Sequence, residues 1–429
     1  MPLHTGVDVI MKPCNRIRIF HTSDWHLGRT LHERNRDDEF DAFLKWLLSV
    51  IEAERIDVLL ISGDIFDTST PPYSAQHKYY QFCERLSRTC CRHAVITSGN
   101  HDSTQFIDVP SDLLRRFNVN VIGRSRFGKA MPDGDPSDEI VTLKDAEGND
   151  ELIIAAVPFL TEGDLRDAEA GESDATKEQK AREGVARHYS RVAEAAEKIR
   201  ADRDIPVVAM GHLYVAGGKL QEDDGVRTTY IGTLGGVDVS VFPKTFDYVA
   251  LGHLHVPQAV AGMENIRYSG SPLPMGFGES GQEKSLCRVI FEGRKPEISL
   301  CAIPQFHKLA RISGKLSEIK EKIEQLMNEG EDCYISVTYT GSDYVDSLVG
   351  YINEIIGESK LIHCLHTQNL SAIRGLDRTA SFSSGYTLSD LNEISVFEKF
   401  LDANCAGQSP EEQQILLDTY KELIASMGR

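Results

Sequence analysis

Five short apolar runs in the sequence each lead directly into a carboxylate, an amide or an imidazole. The runs are IRIFHTS, VLLIS, AVITS, VVAM and YVAL, and four of them are followed by a glycine, which lets the backbone turn sharply. The polar motifs after them are Asp24-Trp25-His26, Gly63-Asp64-Ile65-Phe66-Asp67, Gly99-Asn100-His101-Asp102, Gly211-His212 and Gly252-His253-Leu254-His255. Since the carboxyl ends of strands form the ligand crevice of an open α/β sheet, these side chains are expected to converge.

The expected donor set is typical of a binuclear metal centre. Seven nitrogen and oxygen donors exceed what one tetrahedral ion uses, but they suit two ions that share a bridging carboxylate. The set contains no thiolate, which favours manganese, iron or zinc over copper. Two such ions clamp the oxygens of a phosphoryl displacement and generate hydroxide at neutral pH, so the residue types predict metal-assisted phosphoester hydrolysis. The seven donors are Asp24, His26, Asp64, Asn100, His212, His253 and His255.

A purely structural role for these residues is the alternative. A single histidine after a strand is more often a core residue than a ligand, and neither Asp-x-His nor Gly-His is specific alone. Five motifs at five strand exits are hard to explain as coincidence. Eight other histidines follow no such pattern and are interpreted as surface or core residues, with His32 a candidate substrate contact. They are His4, His32, His77, His93, His188, His307, His363 and His366.

The rest of the sequence predicts the elements that position these motifs. Helix-like apolar spacing over 39–54 and 75–88 separates the early strands, and this alternation is typical of an α/β core. The charge-rich stretch 160–204 predicts a loop followed by a solvated helix. After Gly281 the composition changes, and the pattern over 306–370 predicts strand, helix, strand, helix, strand. A helical tail is predicted from about 387 to 427.

Composition and charge exclude several classes of protein. The 429 residues are 41% hydrophobic and 26% charged, which excludes a disordered or collagen-like chain. No apolar run approaches the ~18 residues of a membrane span, and the first residues lack a signal core. Nine cysteines without CxxC pairs indicate a reduced, cytoplasmic compartment. The net charge of −19 argues against nucleic-acid binding by bulk charge, so such a role would need bound metals, a local basic patch or a basic partner subunit.

The ordered motifs DxH, GDxxD, GNHD, GH and GHxH resemble those of the calcineurin-like metallophosphoesterases. The longer strings HTSDWHLGRTL, ISGDIFDTSTPP, TSGNHDS, FDYVALGHLHVPQ and YSGSPLPMGFGE are similar to the SbcD family of nuclease subunits within that superfamily. The resemblance implies an α/β fold, a β-sandwich flanked by helices, with a small α+β capping domain and a C-terminal helical tail. The implied segments are a disordered extension (1–15), a nuclease domain (16–285), a βαβαβ capping domain (286–380) and a helical partner-binding tail (381–429).

The resemblance also implies roles within the site. One ion would be held by Asp24, His26, Asp64 and His255, and the other by Asp64, Asn100, His212 and His253. His101 would stabilise the transition state and protonate the leaving 3′ oxygen, which suits a group that titrates near neutral pH. Asp102 would orient the loop or the imidazole, and Asp67 would support a ligand or cap the next helix. The two divalent ions are expected to be Mn²⁺.

The implied function is a metal-dependent DNA nuclease with 3′–5′ double-strand exonuclease and single-strand or hairpin endonuclease action in replication, recombination and repair. The implied partners are DNA, a second copy of the chain and an SbcC-like coiled-coil ATPase held by the tail, which together would form a heterotetramer in the cytoplasm without a membrane. The alternatives are a stand-alone phosphoesterase for a small phosphodiester or a phosphoprotein, and a scaffold that has lost its metals. The separate capping domain and tail disfavour the first, and the complete donor set disfavours the second.

Two surfaces follow from this interpretation. The resemblance implies a homodimer contact, for which the candidates are the helix 75–88 and the segment 106–117, and burial in the chain's own core is the alternative for such an apolar stripe. The apolar residues of the segment are Ile107, Val109, Leu113, Leu114 and Phe117. Each cation near the motifs is a candidate phosphate contact, with ordinary solvated surface charge as the alternative. These cations are Arg29, Arg34, Arg36, Arg115, Arg116, Arg124, Arg126 and Lys129.

Overall fold

The structure is a computed structural model that describes residues 16–128, 131–167, 169, 171–218, 236–343, 345–370, 416–417 and 419–420. The chain forms two compact units, which divide between Leu309 and Ala310. The predicted extension (1–15), and the predicted tail (381–429) apart from four residues, lie outside the described residues. Among the described residues, no helix combines the length and the apolar character that crossing a bilayer requires.

The first unit contains two six-stranded sheets. The first sheet consists of β1 (Arg16–Thr22), β2 (Val58–Ser62), β3 (His93–Thr97), β4 (Val119–Ile122), β11 (Ser285–Glu292) and β12 (Lys295–Ala302). Its order is β12-β11-β1-β2-β3-β4, in which β1 to β4 run parallel and β11 and β12 form an antiparallel hairpin at one edge. The connecting helices are α1 (Asp37–Glu54), α2 (Tyr73–Leu86), α3 (Thr104–Asp108) and α4 (Ser111–Arg115).

The second sheet of this unit consists of β5 (Ile140–Lys144), β6 (Asp150–Ala156), β7 (Val207–His212), β8 (Tyr248–Gly252), β9 (Gln258–Val260) and β10 (Met263–Tyr268). Its order is β5-β6-β7-β8-β10-β9, with a parallel centre and antiparallel edge strands. Two helices lie in the stretch predicted as a loop and a solvated helix, α5 (Glu162–Leu165) and α6 (Asp174–Arg200). The α6 helix is not solvated all round, because it buries Val185, Tyr189 and Val192 against this sheet.

The two sheets pack face to face through their alternating apolar side chains. Residues such as Ile19, Leu60 and Val95 of the first sheet share one buried cluster with Ile154 and Val208 of the second. The outer face of the first sheet is covered by α1 and α2, and that of the second by α6. Because fully burying one such side chain contributes about 1.5–3 kcal/mol, the three apolar clusters between these four layers hold the strand ends in place. The predicted β-sandwich flanked by helices is confirmed.

The second unit is small and contains one three-stranded sheet. Its elements are β13 (Lys308–Gly314), α7 (Leu316–Glu329), β14 (Cys333–Tyr339), α8 (Leu348–Ile356) and β15 (Ile362–Asn369). The order in the sheet is β13-β14-β15, and β14 runs parallel to β15. Ile319 and Ile323 of α7 are fully buried in the core of this unit, as their helical spacing predicts.

The structure moves the predicted boundary between the nuclease and capping domains. We predicted that the capping domain begins at 286, but β11 and β12 belong to the first sheet. β11 pairs along its length with β1, from Arg16 opposite Glu292 to His21 opposite Cys287. The change in composition after Gly281 therefore marks a hairpin that completes the sheet edge, and the units divide only after Leu309.

Candidate metal centre

The predicted donors lie at the carboxyl ends of five strands from both sheets. Asp24 and His26 follow β1, Asp64 follows β2 and Asn100 follows β3 in the first sheet. In the second sheet His212 is the last residue of β7, and His253 and His255 follow β8. Neighbouring parallel strands present these ends side by side, and the face-to-face packing brings the two sets together. All of them except the partly exposed Asn100 are buried, as a site that excludes bulk water requires.

Four of the donors have backbone conformations that residues with side chains rarely adopt. The φ angles are +53° at Asp24, +48° at His26, +50° at Asp64 and +105° at His253. Each such residue costs of order 1–3 kcal/mol, and this kind of strain is concentrated at functional sites. Main-chain hydrogen bonds hold the strained turns: the Asp24 amide donates to the Gly63 carbonyl and the His26 amide to the Asp64 carbonyl, both at 3.0 Å.

Two glycines of the motifs are needed because the centre is crowded. A Cβ atom at Gly252 would overlap the Ser62 carbonyl oxygen and would lie 2.8 Å from Nδ1 of His212. At Gly63 a Cβ atom would collide with the same imidazole, and the φ of +83° is itself unfavourable for other residues. The sequence suggested sharp turns at these glycines, but their main effect is to let the two sheets approach each other around His212.

One group of donors surrounds the space between the ends of β1 and β8. The side chains of Asp24, His26 and His255 place their ligand atoms within 4.8 Å of one another. The Nε2 atoms of His26 and His255 face each other at 3.2 Å. Two imidazole nitrogens at this separation share at most one proton, so at least one lone pair points into the space. This is the arrangement that a cation bound to both nitrogens would stabilise.

The carboxylate of Asp64 lies between this group and a second one. Its Oδ2 is 3.6 Å from Nε2 of His26 and 3.3 Å from Nε2 of His212. On the far side, Oδ1 of Asn100 is 3.0 Å from Nε2 of His212 and 3.1 Å from Nδ1 of His253. The structure therefore brings all seven predicted donors together, with one carboxylate in contact with both halves.

The electrostatics of the pocket fit a divalent cation. Burial lowers the pKa of His26 and lowers that of His253 to about 3, which keeps these imidazoles neutral. Burial opposes ionisation of Asp64 too, but the histidines around it hold the pKa of its carboxyl well below its usual range. The same carboxylate overcomes the burial of His212 and raises its pKa to about 9. His26 and His253 are thus held in the neutral form in which imidazoles bind metal, and Asp64 in its ionised form, whereas His212 holds a proton that a bound cation would displace.

Outward hydrogen bonds orient two of the rings. Nδ1 of His212 lies 2.9 Å from the Ser62 carbonyl, and Nδ1 of His101 lies 2.8 Å from the Asp67 carbonyl. A carbonyl oxygen only accepts, so Nδ1 donates in both cases and carries the proton. Nε2 is then the nitrogen of each ring that is left for the chemistry.

His101 lies at the edge of the donor cluster. Its main-chain amide donates to Oδ1 of Asp64 at 2.9 Å, and its ring is 4.8 Å from that of His26 in an edge-to-face arrangement. The ligand atoms of His26, Asp64 and His101 also lie within 4.8 Å of one another. The geometry therefore suits His101 equally as an acid beside the ions and as a further ligand.

Asp102 organises the loops rather than the imidazole. Its carboxylate accepts main-chain hydrogen bonds from Gly99 at 2.8 Å, Phe66 at 2.9 Å and Ile65 at 3.1 Å, which ties the loop after β2 to the loop after β3. Burial and the nearby Asp64 raise the pKa of Asp102, while these three amides favour its charged form. The ring of His101 is held by the Asp67 carbonyl instead.

Asp67 supports a ligand and does not cap a helix. Its Oδ1 is 3.4 Å from Nδ1 of His26 and accepts a hydrogen bond from Arg29 at 3.1 Å. Burial opposes its ionisation, but His26 and Arg29 hold the pKa of the Asp67 carboxyl at about 2. The N-cap of the following helix is Pro72. Of our two interpretations of Asp67, the structure supports the first.

The basic residues named as candidate phosphate contacts differ in availability. The prediction that Arg36 contacts phosphate is wrong, because its guanidinium is fully buried. It binds both carboxylate oxygens of Glu39 and the Pro274 carbonyl. The others in the described ranges are paired with carboxylates or exposed. Arg29 pairs with Asp67, Arg115 with Asp112, and Arg124 and Arg126 with Asp108, while Arg34 and Arg116 are exposed and Lys129 lies outside the described residues.

A buried glutamate behind His255 was missed by the sequence analysis. The side chain of Glu279 is fully buried, with Oε1 at 3.7 Å from Nδ1 of His255 and Oε2 bonded to the ammonium group of Lys284. That ammonium also donates to the His255 carbonyl at 3.0 Å and to Ser271 at 3.1 Å. Burial opposes the charge on His255, but Glu279 raises its pKa. Since Nδ1 of the ring faces Glu279, Nε2 faces His26. Glu279 lies inside the string YSGSPLPMGFGE, and no local pattern marks its role.

We predict that Glu279→Gln weakens metal binding at this half of the centre. Removing a carboxylate that orients a metal-binding histidine typically costs 10–100-fold in metal affinity. Calorimetric titration with Mn²⁺ should show this loss at one of two sites. Glu139→Gln is the matched control, because Glu139 is also fully buried and lies 2.8 Å from an imidazole, but that imidazole belongs to His188, which is not one of the seven donors. Equal losses of affinity in both variants would show that the effect is only on folding.

Comparisons with known proteins agree with this geometry. The model of the calcineurin-like phosphoesterase family matches residues 17–257, and that of the Type 5 capsule protein repressor C-terminal domain matches residues 305–404. The D subunit of the SbcCD nuclease of Escherichia coli K12 is 31% identical over 400 residues, which cover 92% of this chain and 96% of that protein. The proteins of the same name from Rhodobacter capsulatus and Bacillus subtilis are 37% and 33% identical, over 65% and 64% of this chain and 67% and 66% of their own lengths.

Proposed function

We propose that this chain, which belongs to the calcineurin-like phosphoesterase family and within it to the D subunits of the SbcCD nuclease, hydrolyses DNA phosphodiesters. The reaction would use two divalent cations, which we expect to be Mn²⁺. The observation that carries this proposal is the position of Asp64. Its carboxylate lies within 3.6 Å of imidazole nitrogens from both halves of a buried seven-donor cluster. One ion is assigned to Asp24, His26, Asp64 and His255, and the other to Asp64, Asn100, His212 and His253.

Two cations at such a centre would neutralise phosphate charge and supply a water of near-neutral pKa. The chain's own residues then orient the ligands and move a proton. Asp102 fixes the two loops that present Asp64 and Asn100. The Asp67 carbonyl holds the proton on Nδ1 of His101, so the imidazolium form of this ring can donate its second proton, on Nε2, to the leaving 3′ oxygen and remain as the neutral Nδ1–H form.

The direct test compares three substrates in the presence of Mn²⁺: a DNA hairpin, single-stranded DNA and a small phosphodiester. We expect metal-dependent cleavage of both DNAs that a chelator abolishes. Hydrolysis of the small diester alone would overturn the nuclease assignment and would support the alternative, a stand-alone phosphoesterase in the same fold.

The proposed homodimer uses only part of the segment 106–117. Ile107 and Leu114 are 1% and 2% exposed and belong to the core, which corrects our prediction that they form the contact. Val109, directly after α3, and Leu113, on α4, are 83% and 59% exposed. Exposed apolar side chains of this size suit burial against a second copy.

Leu113→Asp is expected to convert the dimer into a monomer, because it would place a charge in the desolvated centre of the contact. The molar mass measured by light scattering at micromolar concentration should be twice the chain mass of 47.7 kDa for the wild type and equal to that mass for the variant. Leu300→Asp, at a leucine that is 51% exposed on β12, is the control and should stay dimeric. A wild-type chain that is already monomeric would contradict the proposed dimer.

We further propose that the tail (381–429) holds a coiled-coil ATPase and that the assembly acts on DNA in the cytoplasm. The support is the membership of the SbcCD family, together with the apolar stripe Leu416, Tyr420, Leu423, Ile424 and Met427. The predicted helix pair has too little chain to bury two apolar faces alone, so the stripe must pack either on the chain's own βαβαβ domain or on a partner, and the family membership favours the partner.

Deletion of 386–429 should abolish stable association with the ATPase and leave Mn²⁺-dependent cleavage of single-stranded DNA by the isolated chain intact. Leu423→Asp should reproduce the loss, whereas Glu422→Ala, off the stripe, should not. Co-purification of the truncated chain with the ATPase at wild-type yield would show that the tail has no part in the association.

A further inference from the structure

A cavity of about 340 Å³ lies directly beside the metal centre in the first unit. Its inner end is formed by His212 and His253, two of the assigned metal ligands. Phe159 and Tyr214 line it from the loops after β6 and β7, and Val185 lines it from α6. The volume is at the lower end of the range for small-molecule sites, about 300–1,000 Å³. The assigned functions of the metal centre make no use of this space.

Apart from Thr161, Glu162 and the two imidazoles, the described residues that line the cavity are apolar or aromatic. The hydroxyl group of Tyr189, which also lines it, already donates to the Met210 carbonyl at 3.2 Å. Among the residues that the structure describes, no lysine or arginine lines the cavity, so its surface does not attract a phosphate. Ring faces and aliphatic carbons instead suit a flat, largely apolar group that stacks without needing fixed hydrogen-bond partners.

Packing and main-chain hydrogen bonds hold the residues that line the cavity in place. Gly211 leaves no room for a side chain, because a Cβ atom there would overlap the Tyr189 hydroxyl oxygen. The Val215 and Val237 backbones pair beside Tyr214, and the Tyr214 carbonyl accepts from the Val237 amide at 3.1 Å. The cavity therefore belongs to the packed fold of the second sheet and α6.

We propose that this cavity receives the base of a nucleotide next to the scissile phosphate, after that base has left the stack. The inference rests on the proposed nuclease function. A phosphate at His212 and His253 carries its flanking bases one sugar away, and the cavity begins at those same imidazoles. Because every base has a stacking face, such a site binds without sequence preference. It accepts only an unpaired base, so it favours single strands, hairpin loops and frayed ends over intact duplex.

The test combines a change in the substrate with changes in the cavity. The substrates are two single-stranded DNAs in which one phosphodiester bond is cleavable and all the others are protected against hydrolysis. The two are identical except that one has abasic nucleotides on both sides of the cleavable bond. Stacking of one base is worth about 1–3 kcal/mol, so KM for the wild type should rise about tenfold on the abasic DNA. Tyr214→Ala, which removes a stacking ring, should raise KM similarly on normal DNA and leave KM on abasic DNA unchanged.

Val185→Trp, which fills the cavity from α6, is the second variant and should give the same pattern. Leu300→Ala, at an exposed leucine on β12, is the control and should leave KM unchanged on both DNAs. Equal KM values on the two DNAs for the wild type, with DNA still cleaved, would overturn the base site alone. Absence of metal-dependent DNA cleavage in the wild type would instead overturn the proposed function on which it rests.

Discussion

Replacing Asp64 by asparagine is expected to remove both metal ions and to reduce DNA cleavage about 10³-fold or more. The charge of Asp64 lies between the two donor groups, within 3.6 Å of His26 and 3.3 Å of His212. Loss of this charge removes from each donor group the anionic ligand that the two groups share, so both ions bind more weakly. Without the ions the reaction loses metal-ion catalysis, which is worth several kcal/mol at such centres. The amide oxygen of asparagine can still accept the hydrogen bond from the His101 amide, so the loop after β3 keeps its anchor.

Calorimetric titration with Mn²⁺ and a cleavage assay on single-stranded DNA measure the two effects on the same preparation. The matched control is Asp57→Asn, because Asp57 also accepts a main-chain hydrogen bond, from Arg18 at 2.9 Å, but lies at the opposite end of β2. The control should bind two ions and cleave normally. Retention of two ions by the Asp64 variant would show that this carboxylate does not bridge them.

Replacing His101 by alanine is expected to reduce cleavage by about 100-fold or more while both ions stay bound. Nδ1 of this ring donates a hydrogen bond to the Asp67 carbonyl, which leaves Nε2 available beside the donor cluster. An acid is needed because the 3′ oxygen leaves as a strongly basic alkoxide. The deficit should therefore shrink on a substrate whose bridging 3′ oxygen is replaced by sulfur, since a thiolate leaves without protonation.

This pair of measurements separates the two roles that the geometry permits. A ligand role predicts that His101→Ala loses metal and is equally impaired on both substrates. An acid role predicts normal metal titration and partial recovery on the sulfur substrate. His93→Ala is the control, because His93 bonds to the Lys144 carbonyl at the far end of β3 and should change neither quantity.

The donor set could be predicted from the sequence because the chemistry is encoded locally. Each donor follows a short apolar run within a few residues, and parallel strands bring their carboxyl ends to one edge whatever the details of packing. Glu279 could not be found in this way. It faces His255 from a short 3₁₀ helix, Phe277–Glu279, rather than from a strand end, and its role depends on the burial of Lys284 beside it.

Other differences arise from long-range packing. Arg36 lies next to the first motif and resembles a phosphate contact, but the fold closes over it and pairs it with Glu39. The apolar residues 107–117 form one stripe in the sequence, whereas the break between α3 and α4 turns part of that stripe inward and part outward. The domain boundary lies further along the chain than we predicted, because the β11–β12 hairpin pairs with β1. The sequence does not reveal this pairing, since β1 and β11 are far apart in the chain.

We propose that two metal ions share the Asp64 carboxylate at the point where the two sheets meet. Anomalous diffraction from crystals grown with Mn²⁺ locates each ion separately, since each ion gives its own peak. We expect two peaks on either side of the Asp64 carboxylate, one beside the imidazoles of His26 and His255 and one beside those of His212 and His253. A single peak, or a second peak out of contact with Asp64, would contradict it.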